Sequence, residues 1–194
     1  MKSDKFYIKE IFKELNFSQQ ETKVIESVFY KVTAKKGTIL LNAGDFVDAQ
    51  YFILDGCLRT YHIDSHGKEH TLQFGIKDWW ISDFTAFFTS EKAIMTIEAI
   101  QHSTLYKISK KDKDYLYDKI PQIDRFFRVK LERAFAAFQK RILANLSQSA
   151  TERYQNFIKT YPSIEKSVKN YHIASYLGIT TESLSRIRKD IPFN

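Results

Sequence analysis

The chain has 194 residues, a formal net charge of +7, 43% hydrophobic residues and 15% aromatic residues. That apolar content is enough for one large or two modest packed cores, which excludes a disordered chain. The single cysteine, Cys57, excludes an intramolecular disulfide and cannot alone hold an iron–sulfur cluster. No stretch approaches the roughly 18 apolar residues of a membrane span, and the start lacks the apolar core of a signal peptide. These features predict a cytoplasmic protein with no membrane partner.

The first predicted elements are a helix and a series of short strands. Residues 1–15 alternate Lys and Glu with apolar residues such as Phe6, which is typical of an amphipathic helix. From about Gly37 to Ile108, β-branched and aromatic residues are broken at intervals by glycine-containing turns. Asp55-Gly56 lies between two apolar runs and indicates a β-hairpin, because both residues tolerate positive φ. Several such hairpins predict an antiparallel barrel or roll.

Three histidines within the strand region recur every four residues: His62, His66 and His70. On a helix this spacing would indicate a metal site, but Gly67 marks a turn between them. We therefore expect His62 and His70 on flanking strands and His66 at the tip, as exposed polar residues. A weak metal site is the alternative interpretation, although the spacing misses the His-x-His arrangement of metal-dependent cupin enzymes.

A long helix is predicted to start at Pro121, which suits the first helical position, and to run towards Leu146 without an interrupting Gly or Pro. Its apolar residues recur every three or four positions and include Phe127, Leu131, Phe135, Phe138 and Ile142. Such a stripe favours a dimerisation helix, although it could also pack on its own roll, and the two uses can coexist. A further helix over about 151–160 is expected to end before Pro162.

The excess of basic over acidic residues lies in the C-terminal third of the chain. From Arg125 onward there are 13 Lys or Arg residues against 5 Asp or Glu residues, a net charge of +8. The preceding 124 residues carry a net charge of −1. This asymmetry favours a polyanionic partner for the C-terminal region; solubility and RNA binding are the alternatives.

The segment 173–188 predicts two short helices that meet at a glycine. Small Ala174 permits close approach of the helices, Gly178 suits the positive φ of the turn, and Thr180 suits the N-cap of the second helix. The apolar seam consists of Ile173, Leu177, Ile179, Leu184 and Ile187. This pattern is typical of a helix-turn-helix that enters the major groove of DNA, with a purely structural helical hairpin as the alternative.

A roll, a long helix and a C-terminal helix-turn-helix together resemble the Crp-Fnr regulators, and most closely the compact Bacteroidetes-type members. The resemblance rests on Gly44-Asp45 and on the segments 51–59, 64–69 and 173–188. It implies an α+β fold: an N-terminal antiparallel β-roll of the cyclic-nucleotide-binding type (a double-stranded β-helix), a dimerisation helix, and a helix-turn-helix domain with a reduced or absent wing. The implied domains are 1–119, 120–148 and 149–194.

The resemblance also implies a sequence-specific transcription regulator that binds double-stranded DNA as a homodimer on an inverted repeat and contacts RNA polymerase. Aligned on Gly178, the base-reading positions fall on Thr181, Glu182 and Arg186. Arginine can donate two hydrogen bonds to guanine, and glutamate can accept one from cytosine. Candidate contacts to the DNA backbone are Ser175, Thr180, Ser185, Arg188 and Lys189.

In Crp-Fnr regulators that bind cyclic nucleotides, a short segment after the middle strands of the roll holds the ligand; we call it the ligand cassette. In this chain the cassette lacks the residues that would hold a cyclic nucleotide. Alignment on Asp78-Trp79 puts Trp80, Ile81 and Ser82 where an apolar residue, a glycine and a ribose-binding glutamate would stand. Lys92 is the only nearby cation and lacks the planar fork that holds a cyclic phosphate. The candidate effector pocket is therefore Trp80, Ile81, Ser82, Asp83 and Lys92. Cyclic AMP is not expected to bind there, no cofactor is assigned, and any effector is a different small molecule.

Enzymatic signatures are absent from the sequence, which contains no P-loop, no Gly-x-Ser-x-Gly, no His-Glu-x-x-His and no Gly-x-Gly-x-x-Gly. We therefore expect a transcription regulator that is not an enzyme and has no metal ligands. The alternatives are a cupin-like metal-binding protein and an effector-binding module that does not bind DNA.

Overall fold

A computed structural model of the protein describes residues 8–165 and 167–191. The expectation about Phe6 lies outside these residues. Of the helix predicted over 1–15, the described part is one turn, α1 (Ile8–Ile11). A second helix, α2 (Gln19–Val28), begins at Ser18, whose hydroxyl accepts from the backbone N–H of Glu21 while the Glu21 carboxylate accepts from the backbone N–H of Ser18. This reciprocal cap fixes where the helix starts.

The predicted strands form two four-stranded sheets. Their bounds are β1 (Tyr30–Ala34), β2 (Ile39–Leu41), β3 (Ala49–Asp55), β4 (Leu58–Ile63), β5 (Glu69–Gly75), β6 (Trp80–Ile81), β7 (Thr96–Ala99) and β8 (Ser103–Ser109). One sheet has the order β1-β8-β3-β6 and the other the order β2-β7-β4-β5. Ile53 and Leu105 of the first sheet share one buried cluster with Leu58 and Ile97 of the second. The expected antiparallel roll is confirmed.

The hairpin predicted at Asp55-Gly56 is wrong, although the turn itself is present. Strands β3 and β4 lie in different sheets, so the turn carries the chain from one sheet to the other. Gly56 has φ +94°, and a Cβ at this position would lie 2.4 Å from the carbonyl oxygen of His102. The glycine is therefore required both by its backbone conformation and by the close approach of the connection between β7 and β8.

Replacing this glycine tests how much the crossing contributes to stability. Gly56→Ala is expected to lower the free energy of unfolding by about 3 kcal/mol, because it combines strained backbone with an overlap against backbone atoms. Gly37→Ala is the matched control, since Gly37 has a similar φ of +86° but nothing within 4 Å of the added Cβ. Urea unfolding should show a loss of only about 1 kcal/mol for the control. Equal losses in the two variants would remove the steric argument.

Helix α3 (Phe84–Thr89) lies between β6 and β7. The helices that follow the last strand are α4 (Lys110–Lys119), α5 (Pro121–Ser147), α6 (Ala150–Thr160), α7 (Asn170–Leu177) and α8 (Thr181–Asp190). The long helix therefore starts at the predicted proline. Its first turns contribute Ile123 and Phe127 to a second core, where they pack with residues of α1, α2 and α4 and with Phe52 and Tyr106 of the sheet β1-β8-β3-β6. This core holds the base of α5 on the roll.

The contacts divide the chain into two compact units. Unit 1 comprises residues 1–62 and 73–128, and unit 2 comprises residues 63–72 and 129–194. The boundary falls inside α5 rather than at its ends, and unit 2 includes the tip of the β4–β5 hairpin, residues 63–72. None of the described helices is long and apolar enough to cross a membrane.

Candidate nucleic-acid interface

Helices α7 and α8 form the helix-turn-helix that the sequence predicts. Gly178 ends α7 with φ +68°, and its N–H donates to the carbonyl oxygens of Ala174 and Ser175. The side chain of Thr180 caps α8 by accepting from the N–H of Ser183 at 3.2 Å. The glycine at the end of α7 and the threonine cap of α8 both lie within the turn, so nearby residues specify where the two helices end and begin.

Helix α8 has one buried face and one exposed face. Leu184 and Ile187 are buried, whereas Glu182 and Arg186 are exposed. The pKa of Glu182 is lowered, first by a hydrogen bond from its own backbone N–H, then by Thr180 and Thr181, and also by the charge of Arg186. The exposed face therefore carries an ionised carboxylate and a guanidinium, a hydrogen-bond acceptor and a donor that suit base edges.

Arg188 does not lie on that free face, although it was predicted to contact the DNA backbone. Its guanidinium donates to the hydroxyl of Tyr154 at 3.0 Å and forms an ion pair with Glu165 at 2.8 Å. Glu165 is buried and also accepts from Tyr154 at 2.7 Å. The arginine thus neutralises a buried carboxylate inside unit 2, which explains why its charge is not available to a phosphate in this conformation.

Ser175, another predicted backbone contact, is also engaged inside unit 2. Its hydroxyl donates to the carbonyl oxygen of Glu69 at 2.7 Å and accepts from the N–H of Thr71 at 2.8 Å. Arg141 of α5 donates to the carbonyl oxygen of Leu72 on the same strand. The β4–β5 tip therefore contacts both the first helix of the helix-turn-helix and the long helix. Ser185 and Lys189, by contrast, remain exposed on α8.

The three histidines occupy the expected strand and turn positions. Nδ1 of His62 lies 2.8 Å from the carbonyl oxygen of Ile94, and Nε2 of His70 lies 2.7 Å from Asp64. The pKa of Asp64 falls to about 2, first because of the His70 hydrogen bond and then because the backbone N–H of Lys68 donates to it. In the described part of the chain, no group of three His, Cys, Asp or Glu residues is arranged to hold a metal ion.

Two predicted effector-pocket residues have structural roles instead. The Ser82 hydroxyl is buried and donates to the carbonyl oxygen of Ala49 at 2.8 Å. Asp83 is 0% exposed: one carboxylate oxygen caps α3, and the other accepts from the N–H groups of Ile94 at 2.8 Å and Met95 at 3.0 Å. Both Asp83 oxygens are occupied, so neither residue presents a free group to a ribose or a phosphate in this conformation.

The other three candidate pocket residues are not gathered around one open site. Ile81 is fully buried in the roll core. Trp80 packs its ring against Phe127 at 4.9 Å between centroids, in the second core. Lys92 is exposed, with Nζ 5.7 Å from the centre of the Phe46 ring. Core packing therefore accounts for Trp80 and Ile81.

The apolar stripe of α5 divides between two environments. Phe127 is only 7% exposed and packs inside unit 1. The prediction that Phe127 is a dimer contact is therefore wrong, and Phe127 is a core residue. Further along, Leu131 is 51% exposed, Phe135 63% and Ile142 57%, and Phe138 is half-buried. Leu143 and Leu146 extend this exposed apolar surface. A continuous exposed apolar surface on a helix marks an interaction site.

A β-roll, a long helix with an exposed apolar stripe and a C-terminal helix-turn-helix make up the architecture of DNA-binding transcription regulators. Comparisons with known proteins agree. Residues 31–119 match the cyclic nucleotide-binding domain. The transcriptional activator protein Anr of Pseudomonas protegens is 23% identical over 164 residues, which cover 79% of this chain and 66% of Anr. The anaerobic regulatory protein of Haemophilus influenzae is 24% identical over 184 residues, which cover 88% of this chain and 70% of that protein.

A solved structure has the same fold. The crystal structure of a transcriptional regulator of the crp/fnr family from Eubacterium rectale superposes with a TM-score of 0.70 at 22% identity, covering 93% of this chain and 85% of that one. The chain is therefore similar in sequence and in fold to transcription regulators of the Crp-Fnr family. It spans about two thirds of the length of the curated relatives it matches.

Proposed function

We propose that the protein is a sequence-specific DNA-binding regulator that acts as a homodimer on an inverted repeat and contacts RNA polymerase. Regulators of the Crp-Fnr family bind DNA, act as dimers and contact RNA polymerase. In this chain the two recognition helices of a dimer would occupy successive major grooves, with half-sites about one helical turn apart. The exposed residues Leu131, Phe135 and Ile142 of α5 would form the contact between subunits.

One observation carries this proposal: α8 exposes Glu182 and Arg186 while Leu184 and Ile187 anchor its opposite face. Arg186 would donate to O6 and N7 of guanine, and Glu182 would accept from N4 of cytosine. Thr181, at the start of α8 and partly exposed, completes the proposed base-reading set. The net charge of +8 from Arg125 onward supplies the attraction to the phosphate backbone.

The proposed backbone contacts are Thr180, Ser185 and Lys189, which are exposed around α8. Ser175 and Arg188 are left out of the proposal because they are only partly exposed and their polar groups are paired with other elements of unit 2. No cyclic nucleotide enters the proposal either, since Asp83 and Ser82 use their polar groups to hold the roll together. Control by another small-molecule effector remains compatible with this assignment.

Selection of bound genomic fragments at near-physiological salt, without added nucleotide, tests the function directly. The wild-type protein is expected to recover an inverted repeat, and the Arg186→Ala variant run beside it is expected not to. Enrichment of no sequence by the wild-type protein would contradict the proposal that this form binds DNA specifically without a ligand.

The recovered operator then allows a quantitative prediction. Arg186→Ala is expected to lose about 1–3 kcal/mol of operator binding and to relax the preference at one base position, because a bidentate base contact is removed. Lys189→Ala is the matched control: it should weaken all sequences alike and lower the salt dependence, as a phosphate contact does. Fluorescence anisotropy on operator and scrambled DNA measures both. Equal losses on the two DNAs for Arg186→Ala would remove Arg186 from base reading.

A further inference from the structure

Helix α4 contains a lysine in a setting that DNA binding does not explain. Lys113 is only 6% exposed, so its amine is withdrawn from water. Among the described residues its one polar contact is a long hydrogen bond of 3.4 Å from Nζ to Oε1 of Gln50, which is also buried. Within residues 8–165 and 167–191, Lys113 forms no ion pair. A buried ammonium without a carboxylate needs another source of stabilisation.

Aromatic rings supply that stabilisation. The Nζ atom lies 4.6 Å from the ring centre of Phe127, 5.2 Å from that of Phe87, 5.4 Å from that of Tyr117 and 5.7 Å from that of Phe88. All four distances are within the range in which the electron-rich face of an aromatic ring attracts a cation. We call these four rings the Lys113 cage. The attraction depends on the positive charge and is lost when the amine is neutral.

The cage and Gln50 together join four elements of unit 1. Phe87 and Phe88 come from α3, the helix that Asp83 caps at the end of the ligand cassette. Tyr117 comes from α4, Phe127 comes from the base of α5, and Gln50 comes from β3. Lys113 is therefore the common contact of the cassette helix and the first turns of the helix that carries the exposed apolar stripe.

We propose that Lys113 acts as a charge-dependent clamp, holding α3 and the base of α5 together while its amine is protonated and releasing them when the proton is lost. The release removes the cation–π attraction to four rings and weakens the hydrogen bond to Gln50. The Trp80 ring packs against that of Phe127, with 4.9 Å between the ring centroids and 60° between the ring planes. A movement of Phe127 would therefore change the surroundings of the indole at the start of the cassette.

The groups around Lys113 place this proton loss near pH 8. Burial lowers the pKa of Lys113 from 10.5 to about 8, opposed by the negative charge of Asp114 on the same helix. Tyr117 stays neutral, because burial, with Asp124 of α5 and Asp114, raises its pKa well above the usual range. From β3 the lysine meets the uncharged amide of Gln50, and from α3 only phenyl rings. Asp114, Asp124 and Tyr117 are thus the titratable groups near the cage.

Indole fluorescence tests the clamp without DNA, so its outcome is independent of the proposed function. A Trp79→Phe background leaves Trp80 as the only tryptophan. Between about pH 6.5 and about pH 9.5, its emission is expected to change with a midpoint of about 8. Lys113→Met, which fills similar space without a charge, should abolish the transition. Lys113→Arg should also abolish it, since guanidinium stays charged throughout this range.

A second readout covers the case in which Lys113→Met does not fold. NMR titration of the lysine ε-carbon signals, with the Lys113 signal identified by its absence in Lys113→Arg, gives the titration midpoint of the amine directly. A midpoint of about 8 supports the clamp, and a midpoint at the ordinary value of 10.5 overturns it. A fluorescence transition that persists unchanged in Lys113→Arg assigns it to another group and likewise overturns the proposal.

Discussion

Leu131→Glu combined with Phe135→Glu is expected to turn the protein into a folded monomer and to lower its affinity for the operator by roughly a hundredfold or more. Both side chains are exposed, at 51% and 63%, so carboxylates at these positions leave the fold of one subunit intact. In a dimer the same carboxylates would be buried against the partner helix, at a cost of several kcal/mol. A single helix-turn-helix can then occupy only one half-site.

Ala137→Glu is the control for this pair. Ala137 is exposed on the opposite side of the same helix, so the substitution adds a single negative charge away from the apolar stripe. Sedimentation equilibrium should show a monomer for the double variant and a dimer for Ala137→Glu. Fluorescence anisotropy should show a lower operator affinity for the double variant and an unchanged operator affinity for the control. A double variant that remains a dimer, or a monomer that keeps full operator affinity, would contradict the assignment of this surface.

Asp83→Ala is expected to lower the free energy of unfolding by about 4 kcal/mol, with a fall of roughly 10 °C in the melting temperature. The substitution removes the N-cap of α3 and leaves the N–H groups of Ile94 and Met95 without their acceptor in a fully buried site. Each buried donor that loses its partner costs about 1–3 kcal/mol. Calorimetry and urea unfolding measure the loss.

Two further variants make this prediction specific. Asp83→Asn retains one carbonyl oxygen of the same shape and should lose less stability than Asp83→Ala. Ser109→Ala removes the cap of α4, where the hydroxyl accepts from the N–H of Asp112 at 3.0 Å, and should cost only about 1 kcal/mol. A loss for Asp83→Ala no larger than that of Ser109→Ala would return Asp83 to the set of candidate ligand-binding residues.

The sequence predicts features of this protein that depend on nearby residues. Gly178 and Thr180 determine the turn and the start of α8 within a few positions, so both features are predictable from the sequence. Pro121 marks the start of the long helix for the same reason. Asp55-Gly56 shows the limit of such signals, because a turn motif does not specify which strand its neighbours will pair with.

Side-chain roles that depend on distant partners were not predictable from spacing. The periodicity of α5 places Phe127 on the apolar stripe but does not say that α1, α4 and Trp80 cover it. Arg188 has the charge and position of a phosphate contact, yet it forms an ion pair with Glu165, which lies 23 residues earlier in the sequence. Alignment places Ser82 and Asp83 in the cassette. It does not show that their side chains form hydrogen bonds with the backbone groups of Ala49, Ile94 and Met95.

The hydrogen bonds between Ser175 and the strand at Glu69 and Thr71 join parts of the chain more than 100 residues apart in sequence. Unit 2 is therefore discontinuous in sequence: it contains residues 63–72, which lie between two strands of the roll, as well as residues 129–194. A fragment cut at residue 129 would carry Ser175 and Arg141 without the backbone groups that they bind. A chimera that joins the helix-turn-helix of this protein to another roll would therefore also have to include residues 63–72, because these residues supply the backbone groups that Ser175 binds.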